Sequence, residues 1–166
     1  MHGASPTLTK HLSAAAIGGI MVLVPAIAAL ADQSSAVATL LGTWSGNGRI
    51  TYTDGSSEGI HCNAYYSGGG SELRMAIQCK SDKNPIHIRS QLRIDGNRAT
   101  GSWEERTFNA SGTASGSVSG GSMSLNVGGG GFSGTMSVSF GRSSHSVTIS
   151  TRGIAMSRAT MTFTKR

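Results

Sequence analysis

Two glycine motifs offer the nucleophile and phosphate-binding spacings found in this chain. Gly55-Ser56-Ser57-Glu58-Gly59 matches G-x-S-x-G. A nucleophile elbow needs a strand, a sharp turn and then a helix. Here alternating, strand-like sequence stands on both sides, so no elbow is expected. Gly129, Gly131 and Gly134 match G-x-G-x-x-G. That motif holds phosphate only where a helix N-terminus follows. The residues that follow alternate instead, which reads as a flexible hairpin. His61, His87 and His145 are far apart and lack metal-ligand spacing. All three are expected at the surface. Glu105 is the one carboxylate placed toward an interior, with Glu104 beside it on the other face. A lone inward acid serves as a base or a ligand anchor. It has no partner His, Asp or metal, so no catalytic set is assembled. The expectation is a non-enzymatic protein without cofactor or metal.

The elements that position these residues are strands. Apolar side chains recur with period two and not with helical spacing. Trp44, Gly46, Gly48, Ile50 and Tyr52 share a face, as do Ile60, Cys62, Ala64 and Tyr66. Leu73, Met75, Ile77 and Cys79 follow, then Ile86, Ile88, Ser90, Leu92 and Ile94. Further faces are Met123, Leu125, Val127; Phe132, Gly134, Met136, Val138, Phe140; Val147, Ile149; and Ala159, Met161, Phe163. Turn signals separate them at Asp54-Gly55, Gly68 to Ser71, Asp95-Gly96, Gly120-Gly121, Gly128 to Gly131, Gly141-Arg142 and Arg152-Gly153. Strands joined by short turns are antiparallel neighbours. The layout predicts an all-β, antiparallel up-and-down barrel of about eight to ten strands, with a sandwich as the alternative at this spacing.

Register follows from the turns. A two-residue II′ turn at Gly70-Ser71 sets Tyr66 opposite Met75, Ala64 opposite Ile77 and Cys62 opposite Cys79. Opposed Cα atoms lie about 4.5–5.5 Å apart, within disulfide reach. A Cys62–Cys79 disulfide is therefore expected, and no Cys-x-x-Cys marks it as redox-active. A turn at Asp95-Gly96 sets Ile94 opposite Asn97, Leu92 opposite Ala99 and Ile88 opposite Trp103. Trp103 and Glu105 then face inward, and His87 meets Glu104 outside.

One wall is small-sided: Ala110, Gly112, Ala114, Gly116 and Val118. Either large residues opposite pack down onto it, or a cavity remains for a small ligand. The expected lining of such a cavity is Tyr52, Tyr66, Trp103, Glu105, Met136 and Phe140. The outward face carries Arg74, Arg89, Arg93, Arg98 and Arg106. This stripe suits an anionic envelope glycan or a protein partner as the alternative function. Aromatic residues are not interleaved with it, which argues against nucleic acid. Edge protection and solubility explain scattered arginines equally well.

The first residues read as an export signal. A polar start bearing Lys10 leads into an apolar run from Ala14 to Ala31, ending Ala29-Leu30-Ala31 before Asp32. Gly18-Gly19 and Pro25 favour cleavage over a membrane anchor. The expected organisation is a signal peptide at 1–31, a linker at 32–41 and one barrel domain at 42–166. Cleavage removes Lys10 and no acid, so the net charge falls from +6 to +5. Periplasmic or secreted localisation follows, with no transmembrane segment after cleavage. An outer-membrane barrel fits poorly, because the apolar faces hold Gly, Ala and both cysteines, and aromatics are only 5% of the chain.

The G-x-W of Gly42-Thr43-Trp44 resembles the opening of the calycin barrels, the lipocalins, fatty-acid-binding proteins and avidins. That resemblance implies that Trp44 closes one barrel end, under a basic side chain from a late strand; Arg158 is the candidate. A longer pattern covers most of the chain after the signal. Glu58-Gly-Ile-His-Cys62-Asn-Ala-Tyr65, Cys79-Lys-Ser81, Gly101-Ser-Trp103-Glu-Glu-Arg-Thr107, Gly131-Phe-Ser133 and His145-Ser-Val-Thr-Ile149 resemble small secreted alphaproteobacterial proteins of the rhizobial type. That family implies export and carries no assigned site residues.

Overall fold

A computed structural model describes residues 37–83 and 85–166. The leader expected at 1–31 lies outside the described residues. Ten strands run β1 (Gly42–Tyr52), β2 (Ser57–Gly69), β3 (Glu72–Ser81), β4 (Pro85–Asp95), β5 (Arg98–Glu105), β6 (Ala110–Ser119), β7 (Ser122–Gly129), β8 (Phe132–Phe140), β9 (Ser144–Arg152) and β10 (Met156–Lys165). Each pairs antiparallel with its sequence neighbours, and β1 pairs with β10, so the meander closes into a barrel. Closure leaves no sheet edge. Among the described residues no helix is long and apolar enough to cross a membrane.

The β2–β3 register is the expected one: Cys62 stands opposite Cys79, with Cα atoms 4.0 Å apart and the disulfide formed. The β4–β5 register differs. Asp95 pairs with Arg98 and Ile94 with Ala99, so the loop is Gly96-Asn97 and not Asp95-Gly96. The first loop residue must take a positive φ, and Gly96 takes it at 61°. Trp103 therefore faces Ser90, Glu105 faces Ile88, and Glu104 faces Arg89 instead of His87. Partners move by two residues, so the inward and outward faces are unchanged.

The ladder also measures the barrel. From Thr51 it passes through Arg158, Ser150, Thr135, Asn126, Ser115, Thr100, Arg93, Glu72 and Gly69, then returns to the level of residue 39. Ten strands staggered by these twelve residues enclose a backbone cylinder of about 10 Å radius. That is wider than an eight-stranded barrel, whose interior side chains just fill it.

The two ends differ. A helical turn at residues 37–40 drops Val37 and Leu40 into the end that holds Trp44. Trp44 donates its indole N–H to the Leu40 carbonyl at 2.8 Å. His145 packs edge-on against Trp44 at 4.5 Å and stacks on Phe163 at 4.6 Å. Leu73, Leu92, Ile94 and Leu125 complete this closed end. His145, expected at the surface, is 2% exposed, because its odd-numbered neighbours Val147 and Ile149 place it on the inward face of β9. Trp44 does lie under a basic side chain, as calycin barrels suggest, but it is Lys165 and not Arg158. The Lys165 Nζ sits 5.1 Å from the Trp44 ring centre, while Arg158 is opposite Thr51 near the other end.

Candidate functional site

The other end is bounded by the loops after β1, β3, β5, β7 and β9. Here the inward side chains are not all covered. Tyr52, Ile77, Ile86, Trp103, Val127, Met136, Ile149 and Met156 pack on the core yet stay half-buried. They lie on the inward face of the sheet and are only partly covered by the core, and Trp103 also borders an outer groove. The largest fully buried side chains gather toward the closed end, and Gly112 beside Trp103 brings no side chain to the other. Gly112 pairs with Trp103, whereas Gly101 and Gly116 face inward beside Leu92 and Leu125 of the closed end.

A bulge shapes the open rim. Ser157 is the extra residue where the β1–β10 register slips between Thr51 and Tyr52. Its hydroxyl donates to the Thr51 carbonyl at 3.0 Å. The slip brings Met156 opposite Tyr52 and turns it toward the interior.

Glu58 is the inward acid that sequence reading passed over in favour of Glu105. It is 8% exposed, and its Oε1 accepts a hydrogen bond from the Tyr52 hydroxyl. Its Oε2 is buried without a hydrogen-bond partner among the described residues. The bond to Glu58 pushes the Tyr52 phenol up to about 12, with burial and the Glu58 and Asp54 charges adding to the effect. Lys83 places its ammonium 4.0 Å from the Tyr52 ring centre. The signal was present: Glu58 is two residues before Ile60 and four before Cys62, hence on their face. Trp103 contributes a second orphan, a buried indole N–H with no acceptor among the described residues. Its ring lies 5.1 Å from that of Phe132.

The expected lining residues divide. Tyr52 and Trp103 lie in the open half, and Met136 sits half-buried between the halves. Tyr66 belongs to the closed end, 3.0 Å from His145 Nε2 through its hydroxyl. Burial pushes its phenol well above the usual tyrosine range. Phe140 faces His145 at the closed-end hairpin. Glu105 points inward at the rim, but its oxygens accept the backbone N–H of His87 and Phe108, each at 2.7 Å. Burial raises its carboxyl, and these bonds with those of Thr107 outweigh it, holding it below the usual range.

The five arginines are exposed on the outer face. They are not alone there. Arg74 pairs with Glu72 at 2.9 Å and Arg106 with Glu104 at 3.6 Å. Glu72 also stands opposite Arg93, Glu104 opposite Arg89 and Asp95 opposite Arg98. A shallow outer groove of about 660 Å³ includes Tyr65, Arg74, Arg89 and Glu104 among its walls.

Topology and the closing β1–β10 ladder define a closed, ten-stranded antiparallel up-and-down barrel. Its fold is shared with Rv2717c from M. tuberculosis, at TM-score 0.65 and 14% identity over 82% of this chain and 99% of that one. It is also shared with the S-type phycobiliprotein lyase CPES from Guillardia theta, at TM-score 0.59 and 10% identity over 78% and 90%. No protein-family model and no curated protein matches the sequence.

Proposed function

We propose that this protein is an exported carrier of a small, largely apolar molecule held in the open half of the barrel, without chemistry on it. The observation that supports this reading is the set of inward apolar side chains that remain half-buried in a closed sheet. Interiors are normally close-packed. Half-covered Ile, Val, Met and Trp side chains facing inward have apolar surface left to bury, and a ligand buries it at about 25 cal/mol per Å². The barrel's likeness to a protein named a lyase makes turnover worth following in the same experiment.

Native mass spectrometry of the folded protein, titrated with an apolar fluorophore, tests the reading. The expected result is a 1:1 complex whose released ligand keeps its mass. A clean apo mass with no probe uptake overturns the carrier reading, and a changed ligand mass overturns its non-enzymatic part.

Export is supported by the leader pattern and by the disulfide, which persists in oxidising compartments. The resemblance to small secreted proteins agrees. N-terminal sequencing of protein from the cell envelope or medium is expected to begin at Asp32, and a chain retaining Met1 counts against export. The outer arginine face supports the surface-acting alternative less well, because Glu72, Glu104 and Asp95 are interleaved with it.

A further inference from the structure

We propose that the molecule held in the open half carries a protonated amine, and that Glu58 receives it. This inference rests on the carrier reading and adds the chemical class of the ligand. Glu58 is buried on β2 opposite Ile50. One carboxylate oxygen is taken by the Tyr52 hydroxyl, and the other has no hydrogen-bond partner among the described residues. No cation among the described residues forms an ion pair with it. Lys83 is near, but its ammonium lies over the face of Tyr52.

A buried carboxylate with a free oxygen and no counter-charge is costly. An alkylammonium supplies both a donor and the missing charge. A neutral N–H supplies only the donor, and a ligand carboxylate is repelled. The second orphan points the same way to a polar ligand element: the Trp103 indole N–H asks for an acceptor on the ligand body. On the strands between these two groups, β3 and β4, the inward walls are aliphatic, as at Ile77 and Ile86. The fitting ligand is thus an apolar chain or ring system with an ammonium at one end and an oxygen acceptor along its body.

Three probes of equal chain length separate these cases: dodecylamine, dodecanol and dodecanoic acid. Each is kept below micelle formation at pH 7 and displaces the fluorophore from the wild-type protein. Dodecylamine is expected to bind at least about tenfold more tightly than dodecanoic acid, the scale of one charge-assisted hydrogen bond. The net charge of +6 favours the acid at long range, so an amine preference is local in origin. Glu58→Gln keeps an oxygen for Tyr52 and is expected to bring dodecylamine down to dodecanol, with dodecanol unchanged. Tyr52→Phe leaves the carboxylate and is expected to keep the amine preference. The wild-type comparison stands even if a variant misfolds. Equal binding of the three probes, or a preference that survives Glu58→Gln, overturns the amine assignment and leaves the carrier reading intact. Failure of every probe, together with an unaltered apo mass, overturns both.

Discussion

His145 shows how one inward position changes a residue's chemistry. Its ring stacks on Phe163 and meets Trp44 edge-on, and its Nδ1 has no hydrogen-bond partner among the described residues. Burial lowers its pKa from 6.5 to about 4. Between those values the unfolded chain takes a proton that the folded chain refuses. Stability is therefore full above about pH 6.5, falls as pH drops toward 4, and then levels off. The loss attributable to this group is about 3 kcal/mol. Urea midpoints measured from pH 7 to pH 4 check it, and His145→Phe is expected to flatten that slope, since Phe adds no titrating group. A slope equal in the two proteins removes His145 as its source. Glu105 teaches the opposite lesson. It has the inward parity of a ligand anchor, yet two backbone N–H groups occupy it. Glu105→Ala is expected to cost about 0.5–1.5 kcal/mol by removing its bonds to His87 on β4 and to Phe108 in the β5–β6 turn, with little effect on probe binding.

At the scale of elements, short turns and inward glycines shape the walls. The β2–β3 hairpin is stapled by Cys62–Cys79 across 17 residues. Removing the bond as the double variant Cys62→Ala, Cys79→Ala is expected to destabilise by about 3 kcal/mol in the chain-entropy model, read from denaturant midpoints. The small-sided β6 strand has a further constraint. A Cβ at Gly112 overlaps the carbonyl oxygen of Gly128, and one at Gly116 overlaps that of Ser124. These glycines let neighbouring backbones approach where the wall curves. Gly112→Ala is expected to cost about 1–3 kcal/mol through overpacking and backbone shift, while Gly59→Ala, which meets open space, stays within about 0.5 kcal/mol. Equal effects at the two sites count against the close-approach account. The hairpins were legible where glycine position settles the loop, as at Gly70. The Asp95-Gly96 expectation erred by one loop position, because which residue carries the positive φ decides the register and composition names only the candidates.

For the whole molecule, closure is the step that makes an interior. Nine ladders join sequence neighbours, and only the β1–β10 ladder joins the distant ends. Deleting β10 from Met156 onward exposes both edges and the Trp44 end at once, so aggregation in place of a folded monomer is expected by size-exclusion chromatography. A stable monomer there argues that the ladder is dispensable. The sequence by itself determined the strands, their faces and the disulfide pair, because period-two alternation and tight turns are local and a sheet obeys them residue by residue. It also marked Trp44 as an end residue. Only the tertiary structure decided which inward residues are covered and which remain open. That depends on stagger, strand count and the helical turn at 37–40, and these bring Tyr66 and His145 together across 79 residues while leaving Glu58 with an unpaired oxygen. Facing inward is a property of one strand; being filled is a property of ten.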